Sequence, residues 1–518
     1  MQPSRDPGRR LAAIALVVAT TAAVSARFVL DRSPGTAAAL DGFPLDDAWI
    51  HLVYARSLSA GHGFAYNPGE LEAGFTSPLW VLLLAPVFWL KAAFVSAPVV
   101  SMVKALGVAL GAITALLAGR LAERLAGGLA GLTAAVLVAL DPSLGFARVS
   151  GMEVSLATAL ALGACLAVEA KRPVACAALV GLATVTRPEL AVLGVALGPA
   201  VALQLRAARS ARRAALAGAL VAAPALAWGV YCARVTGRPL PATFYAKHTA
   251  DAPGEALAEV VRVGGWFVDQ VPLVALGLGL VPVVAGAARV LGGASSREDR
   301  VVRAGVVAWP ALFVVGCLWA HALQEPGAFY WGRYLAPALP GLAVLAGCGA
   351  SLLGRRGGEA MAPAKGAGRA LRAGVAVALA VALGTNLWSL RARASLYAWN
   401  AQNINEVQVA LGRWVAGHVP PRATVATIDA GAIRYFGHRR TLDLIGLNAH
   451  RLLRDGLGPT LQRERPEVVI GFPWVLRRWD LGPEYQLAHE ASSRIFTICR
   501  CDQSRMVVYR RADITLTP

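Results

Sequence analysis

Apolar segments long enough to form membrane-spanning helices recur along the first three quarters of the chain. A helix that crosses a bilayer needs about 20 mostly apolar residues. Candidate segments lie at residues 11–30, 77–96, 99–119, 127–145, 152–169, 173–186, 188–206, 213–232, 266–290, 304–322, 333–353 and 373–390. With 56% hydrophobic and only 16% charged residues, the chain is too apolar for a soluble globular protein. We therefore predict a polytopic α-helical membrane protein.

The end of the chain has an ordinary soluble composition, which predicts a second domain. Residues 1–390 would form the transmembrane domain and residues 391–518 a soluble α/β domain. Short runs rich in β-branched residues indicate strands. The predicted strands are Thr424–Ile428, Thr441–Leu444, Val468–Ile470, Arg494–Cys499 and Arg505–Tyr509. A helix is predicted at Asn405–Gly417. No glycine-rich nucleotide-binding fingerprint follows these strands.

The distribution of basic residues predicts how the chain is oriented. The net charge of +19 comes largely from Arg and Lys in short loops between apolar segments, and most of these lie in one alternating set of loops. Such loops are typical of the cytoplasmic side of a membrane protein. We therefore expect a lipid bilayer, and no nucleic acid, as the partner of this charge. The basic N-terminus is also assigned to the cytoplasm, followed by an uncleaved first span.

Both assignments hold only if one segment before Arg120 does not cross the membrane. The best candidate is 77–96, which contains Pro78, Pro86 and Lys91. Proline interrupts helical hydrogen bonding, and such helices are tolerated where they pack on protein. We predict about 11 transmembrane helices, an extracytoplasmic loop at 31–76 and an interfacial helix at 77–96. The soluble domain would then lie outside the cell membrane.

One polar stretch, Asp41–Trp80, holds the residues most suited to chemistry. Asp46 and Asp47 are adjacent carboxylates, which disfavour each other's ionisation. On a helix after Pro44, Asp47 and His51 would share one face, with an apolar stripe resting on the membrane surface. The alternative is that Asp46 caps this helix while Asp47 favours its dipole. Capping requires only one carboxylate, so we favour a functional pair.

The predicted orientation brings several other polar segments to the side of this pair, which we favour over ordinary solvated loops. A carboxylate can act as general base towards a hydroxyl, and nearby cations can bind a lipid phosphate as leaving group. The candidate catalytic residues are Asp46 and Asp47. The candidate substrate-binding residues are His51, Arg56, His62, Glu153, Arg187, Tyr245, Lys247, His248 and Arg333. Asp46, Asp47 and Glu153 carry oxygen atoms of the kind that Mg²⁺ or Ca²⁺ prefers. Paired carboxylates alone do not establish a metal site, so we expect no metal and no cofactor.

Several blocks of the sequence resemble, in the same order, the GT-C membrane glycosyltransferases. The resemblance is strongest to the branch that contains cell-wall arabinofuranosyltransferases. The blocks are LDDAWIHLVYARSLSAGHGFAYNPGE followed by GFTSPLW, SGME at Ser150–Glu153, TRPE at Thr186–Glu189, PATFYAK at Pro241–Lys247 and GRYLAPALP at Gly332–Pro340. The segment Ile428–Leu447 is similar to the periplasmic C-terminal block of that branch.

The resemblance implies inverting transfer of a sugar from a polyprenyl-phosphate donor to an acceptor outside the bacterial cytoplasmic membrane. Asp46 and Asp47 match the acidic pair of the family, one of which serves as base. Departures at Trp49 and Ala73–Ser77 leave the sugar open. Two other classes remain as alternatives: a non-enzymatic transporter of lipids or glycans, and a membrane scaffold. A transporter would be expected to carry charges near the middle of the bilayer or inverted repeats, which the sequence does not display.

Overall fold

Long apolar helices form most of the structure before residue 404. The computed structural model describes residues 7–93, 98–247, 273–322, 333–354, 365–479, 481–493 and 504–517. The predicted site residue His248 and the predicted strand Arg494–Cys499 lie outside these ranges. The α-helices of this part are α1 Pro7–Val29, α2 Ala38–Asp41, α3 Asp46–Ser59, α4 Pro78–Ala93, α5 Val99–Ala126, α6 Gly128–Leu140, α7 Pro142–Val149, α8 Val154–Glu169, α9 Pro173–Thr184, α10 Val192–Ala207, α11 Ala211–Thr236, α12 Ala242–Lys247, α13 Leu273–Gly292, α14 Arg297–Ala322, α15 Leu339–Ala350 and α16 Lys365–Ile404.

Six of the described helical segments are long and apolar enough to cross a membrane, or seven if the bent pair α6–α7 is one span. Shorter apolar helices of 10–17 residues, including α4, α8 and α9, add to them. The chain is therefore a multi-pass helical membrane protein, which confirms the predicted fold class. The number of about 11 spans and their direction stay predictions.

Glycines allow the helices of the bundle to approach closely. A Cβ atom added at Gly286 of α13 would lie 1.8 Å from the carbonyl oxygen of Leu345 on α15. On the facing helix, a Cβ atom at Gly349 would lie 2.2 Å from the carbonyl oxygen of Pro282. Small residues are favoured at such contacts because, in lipid, helices associate by close packing rather than by the hydrophobic effect.

The C-terminal domain is built on a five-stranded sheet. Its strands are β3 Thr424–Thr427, β4 Arg440–Asp443, β5 Val468–Gly471, β6 Tyr485–Ser492 and β7 Arg505–Arg511, in the order β4-β3-β5-β7-β6. β4, β3 and β5 are parallel, whereas β7 and β6 are antiparallel to their neighbours. A π-helical turn, Asn405–Val409, and five short helices complete the described part of the domain: α17 Ala410–His418, α18 Ala432–Gly437, α19 His450–Asp455, α20 Leu457–Glu464 and α21 Pro473–Leu476.

The predicted α/β class of this domain is confirmed, and β3, β4, β5 and β7 lie where strands were predicted. The sequence analysis missed β6. The predicted boundary at residue 390 falls inside α16, which continues without a break to Ile404. The two domains are therefore joined by a continuous helix rather than by a flexible linker.

The first loop, residues 31–76, contacts the C-terminal domain over much of its length. It contains α3 and a short antiparallel hairpin of β1 Ala65–Asn67 and β2 Glu70–Leu71. The Asn67 side chain donates to the Thr441 carbonyl and accepts from the Thr441 amide, both at 2.9 Å. Because β4 is an edge strand, this amide side chain satisfies backbone groups that no neighbouring strand pairs within the described sheet.

The expected apolar stripe of α3 does not rest on a membrane surface. Ile50 and Val53 are buried within the protein, and Trp49 packs its ring against Tyr435 and Phe436 of α18. The prediction of a surface-lying amphipathic helix was therefore wrong, because α3 packs against both α4 and, from the C-terminal domain, α18.

Buried Lys104 of α5 fixes the start of the first loop. Its ammonium group donates to the carbonyl oxygens of Ala39, Leu40 and Gly42 at 2.6–2.9 Å. These carbonyls end α2, where a cation both completes the hydrogen bonds and favours the negative end of the helix dipole.

Candidate active site

The first turn of α3 places Asp46 and Asp47 in different surroundings. Successive helical residues point about 100° apart, because a helix turns once every 3.6 residues. Asp46 faces the start of α18 in the C-terminal domain, whereas Asp47 faces Arg333 of the membrane domain. The adjacent carboxylates of the sequence motif therefore have separate partners.

Asp46 joins the two domains. Its two carboxylate oxygens accept hydrogen bonds from the backbone amides of Gly431 and Ala432, each at 2.7 Å. A Cβ atom at Gly431 would lie 2.2 Å from the Asp46 carbonyl oxygen, so this close approach requires glycine. Burial, followed by the negative charge of Asp429, raises the pKa of Asp46 well above its usual value. The alternative that Asp46 caps its own helix is therefore wrong, because the cap position of α3 is Leu45 and Asp46 instead binds the amides at the start of α18.

Asp47 is partly accessible, with 32% of its side chain exposed. One of its oxygens forms an ion pair of 2.7 Å with the Arg333 guanidinium. Burial alone would raise the pKa of Asp47, but the positive charges of Arg333 and Lys247 outweigh this and lower the pKa to about 2. Asp47 is therefore an ionised carboxylate that lies beside two cations.

A network of guanidinium and aromatic groups extends from Arg333. Arg333 donates to the Tyr334 hydroxyl at 2.9 Å, and the Arg333 and Arg187 guanidinium carbons lie 4.8 and 5.2 Å from the centroid of the Tyr334 ring. Arg187 also pairs with Glu153 at 3.0 Å and with Glu189 at 3.3 Å. The structure thus brings together Asp47, Glu153, Arg187 and Arg333, four residues that the sequence analysis selected from distant blocks.

His51 lies one helical turn after Asp47, and only 6% of the residue is exposed. Its Nδ1 atom has no hydrogen-bond partner within the described ranges, and the same is true of Glu153 Oε2. Burial lowers the pKa of His51, although the charges of Glu153 and Asp47 oppose this. A lowered pKa favours the neutral imidazole at physiological pH, which leaves one ring nitrogen as a hydrogen-bond acceptor.

The sequence analysis missed Asp429 as a site residue. Asp429 follows β3 and accepts a hydrogen bond of 2.6 Å from Gln408 of the π-helical turn. Burial raises the pKa of Asp429 to about 6. The negative charge of Asp47 also raises this pKa, whereas the hydrogen bond from Gln408 lowers it. The signal was present in the segment Ile428–Leu447, where Asp429 stands directly after a strand. Asp46, Asp47 and Asp429 form a cluster of three carboxylates, which we call the carboxylate cluster of the site.

Other predicted site residues lie in different surroundings. Arg56 donates to the Tyr435 carbonyl at 2.9 Å and covers the Tyr435 ring, so it serves the contact between domains. His62 is exposed in the turn after α3. Tyr245 lies on α12 beneath the Arg238 guanidinium, at 4.7 Å, while Lys247 at the end of the same helix is close enough to affect Asp47. Within the described ranges, no group of three or more His, Cys, Asp or Glu side chains is arranged to hold a metal ion.

Comparisons with known proteins identify the architecture. Residues 400–509 match a family described as a domain of unknown function, DUF8728. No curated protein matches the chain by sequence. The structure is similar to that of ArnT from Cupriavidus metallidurans bound to undecaprenyl phosphate, with 13% identity, 98% of this chain and 99% of that chain covered, and a TM-score of 0.58.

A second likeness is to the archaeal oligosaccharyltransferase AglB from Archaeoglobus fulgidus, in complex with an inhibitory peptide and a dolichol-phosphate. The identity is 11%, 88% of this chain and 69% of that chain are covered, and the TM-score is 0.50. The apo form of the Archaeoglobus fulgidus oligosaccharyltransferase gives 12% identity, the same coverage and a TM-score of 0.54. The chain therefore has the fold of the GT-C membrane glycosyltransferases, as the resemblance of its sequence blocks predicted.

Proposed function

From the GT-C fold as premise, we propose that this chain is an inverting glycosyltransferase that uses a polyprenyl-phosphate sugar as donor. It transfers the sugar to an acceptor outside the bacterial cytoplasmic membrane, with Asp47 as general base. The observation that carries this proposal is the partly exposed Asp47 carboxylate in contact with Arg333 and near Lys247. A base and the cations needed for a phosphate leaving group lie in one place.

The chemistry requires a single displacement. Asp47 removes the proton of an acceptor hydroxyl while the oxygen of that hydroxyl attacks the anomeric carbon of the sugar. The bond from that carbon to the phosphate oxygen breaks on the opposite face, which inverts the anomeric configuration. The electron pair leaves with the polyprenyl phosphate, and Arg333 and Lys247 offset its charge. In this assignment Glu153 and Arg187 are positioning residues, because their ion pair supports Tyr334 and Arg333.

Asp47 suits the role of general base only when the donor is bound, because its pKa is low in the free protein. A carboxylate with a pKa of about 2 is a weak base near neutral pH. A donor phosphate bound to Arg333 and Lys247 would add negative charge and compete for the cations that lower this pKa. The pKa of Asp47 would then rise, so the base would become stronger in the complex that needs it. Asp46 is less suited to act as the base, because both of its oxygens already accept hydrogen bonds from backbone amides.

The alternatives of transporter and scaffold receive less support. A transporter needs charged groups along a path through the membrane. Two buried charges in the described apolar helices, Lys104 and Arg148, instead donate to backbone carbonyls and serve as structural contacts. A scaffold does not require an accessible carboxylate beside cations.

A transfer assay tests the proposal. The full-length protein, purified in nanodiscs, is incubated with short-chain polyprenyl-phosphate arabinofuranose, mannose or glucose and a panel of glycan acceptors. We expect the wild type to release polyprenyl phosphate and to form a glycoside of inverted configuration, measured by mass spectrometry and NMR. Asp47→Asn should reduce transfer by about 10²–10⁴-fold, whereas Asp41→Asn, which neutralises an exposed carboxylate of the same loop, should retain it. Transfer by Asp47→Asn at the wild-type rate, or retention of configuration, would refute the mechanism.

A further inference from the structure

A cavity of about 350 Å³ lies between the first loop and the C-terminal domain, apart from the carboxylate cluster of Asp46, Asp47 and Asp429. Its walls come from the β1–β2 hairpin, the end of α11, β4, α19 and α20. The volume is within the range of small-ligand pockets. The residues that matter for its chemistry are Asn67, Glu72, Arg234, Arg440, His450 and Arg451.

Four arginines and three glutamates line the cavity: Arg234, Arg440, Arg451 and Arg463, and Glu70, Glu72 and Glu464. Two of the arginines are paired: Arg440 with Glu70 at 2.7 Å and Glu464 at 2.9 Å, and Arg463 with Asp455 at 2.6 Å. Arg234 and Arg451 are exposed, and their side chains form no ion pair or hydrogen bond with the residues that the structure describes. These two arginines come from different domains and border the same cavity. Their guanidinium groups suit a carboxylate or phosphate ligand, because their planar forks of N–H donors match such groups.

The interior of the cavity offers a hydrogen-bond acceptor as well. The Nδ1 atom of His450 lies 2.9 Å from a carboxylate oxygen of buried Glu72. An ionised carboxylate only accepts hydrogen bonds, so this nitrogen carries the proton. In the neutral ring, Nε2 is then an acceptor that suits a hydroxyl group. The cavity therefore combines donors for an anion with an acceptor for a hydroxyl.

Two helices, α3 and α12, connect the cavity with the carboxylate cluster of the site. Tyr54 of α3 donates to the side-chain oxygen of Asn448, which borders the cavity, at 2.8 Å. Tyr54 follows Asp47 by seven residues, which is roughly 10 Å along a helix axis. In addition, α12, which ends at Lys247, packs against α19, which carries His450 and Arg451.

We propose that this cavity binds the acceptor, a glycan segment that carries both free hydroxyls and an anionic group. Arg234 and Arg451 bind the carboxylate or phosphate, His450 accepts from a hydroxyl, and a second hydroxyl of the same acceptor reaches Asp47. The inference rests on the proposed function, because it assigns the acceptor side of that reaction. It names a substrate class, acidic glycans, that the transfer chemistry alone does not require.

Binding without donor tests the assignment. Calorimetric titration of the full-length protein in nanodiscs uses three probes: a disaccharide that ends in glucuronic acid, the methyl ester of that disaccharide, and a disaccharide 6-phosphate. We expect one or both anionic probes to bind at least tenfold more tightly than the ester, and the tighter of the two identifies carboxylate or phosphate as the natural group. The double variant Arg234→Ala/Arg451→Ala should weaken anionic binding at least tenfold. The matched double variant Arg422→Ala/Arg477→Ala, which removes two exposed arginines outside the cavity, should stay within twofold of the wild type.

Equal affinity for the acid and its ester would overturn the inference, as would unchanged binding in the Arg234→Ala/Arg451→Ala variant or no binding of either anionic probe. The two proposals fail separately, because no donor is present and Asp47 is unaltered in this experiment. Arginine-dependent binding without any transfer would retain the cavity as an acidic-glycan site and refute the glycosyltransferase. Transfer with unchanged kinetics in the Arg234→Ala/Arg451→Ala variant would support the glycosyltransferase and refute the acidic-glycan site.

Discussion

Replacement of Asp429 by asparagine should make the protein more stable at neutral and alkaline pH. The folded protein holds the pKa of Asp429 at about 6, above the ordinary value of 3.8, because the carboxylate is partly withdrawn from water and lies near other carboxylates. A group whose pKa is raised on folding binds protons more readily in the folded state, so its contribution to stability falls as the pH rises from about 4 to 6. Above that pH window, the ionised carboxylate lowers the free energy of unfolding by its full amount. Asparagine has no charge to bury, and its oxygen can still accept from Gln408.

The magnitude follows from the size of the pKa difference. Roughly two pKa units at about 1.4 kcal/mol each give a ceiling near 3 kcal/mol. Asp429 is only partly buried, and solvent screening reduces this to about 1–2 kcal/mol. We expect Asp429→Asn to unfold a few degrees above the wild type at pH 8. The difference should shrink as the pH falls from 6 to 4 and vanish well below the unfolded pKa of 3.8, where Asp429 is protonated in both states.

Thermal unfolding with a thiol-reactive dye can measure this effect. Cys165, Cys176, Cys232, Cys317 and Cys348 are all buried, so they react with the dye as the protein opens. The control is Asp513→Asn. A hydrogen bond from Arg511 lowers the pKa of Asp513, so its neutralisation should not stabilise the protein. A variant Asp429→Asn that is less stable at pH 8, or a gain that persists undiminished at pH 4, would refute the reasoning.

Three further predictions follow from single contacts. Asp47→Asn should reduce transfer by about 10²–10⁴-fold, the usual contribution of a general base, and should lower the thermal midpoint in the dye assay relative to the control Asp41→Asn, because buried Arg333 loses its ion pair. Asn67→Ala should cost about 1–3 kcal/mol, because it leaves the amide and carbonyl of Thr441 without their partner; hydrogen exchange should then accelerate in β4 and not in β7. Lys104→Met should cost about 3 kcal/mol or more, because three carbonyls, two of them buried, lose a charged donor. The yield of folded protein in size-exclusion chromatography should fall sharply, and an unchanged yield would contradict this assignment.

The sequence predicted the helical membrane domain and most strands because both depend on local patterns. Long apolar runs give the helices, and β-branched runs give β3, β4, β5 and β7. Strand β6 has the sequence YQLAHEAS, whose polar residues reflect its place at the sheet edge, so its pattern was too weak. The boundary at residue 390 was displaced because the apolar pattern ends inside α16, while the helix continues on polar residues to Ile404.

The candidate site was predicted in part, because residue type was informative and partners were not. Asp47, Arg187 and Arg333 were selected as charged groups near apolar segments, and the structure brings them to one region. The roles of Asp46 and Arg56 depend on α18, which lies more than 370 residues later in the chain. No local pattern reports such a contact. Asp429 was missed for the same reason, since its raised pKa arises from burial and from the charges of Asp47 in the first loop and Asp443 in β4.

The pairing of Asn67 with Thr441 has a consequence for the timing of synthesis. These residues are separated by 374 positions. At about 5–20 residues per second, a ribosome needs roughly 20–75 s to reach the second after making the first. During this interval the first loop has been made, but Asp46 has no amides to bind and the hairpin has no strand edge to meet. A newborn chain therefore lacks the contacts of Asp46 and Asn67 until Gly431, Ala432 and Thr441 have been made, so a product that terminates before them would contain the first loop without the partners that hold it in place.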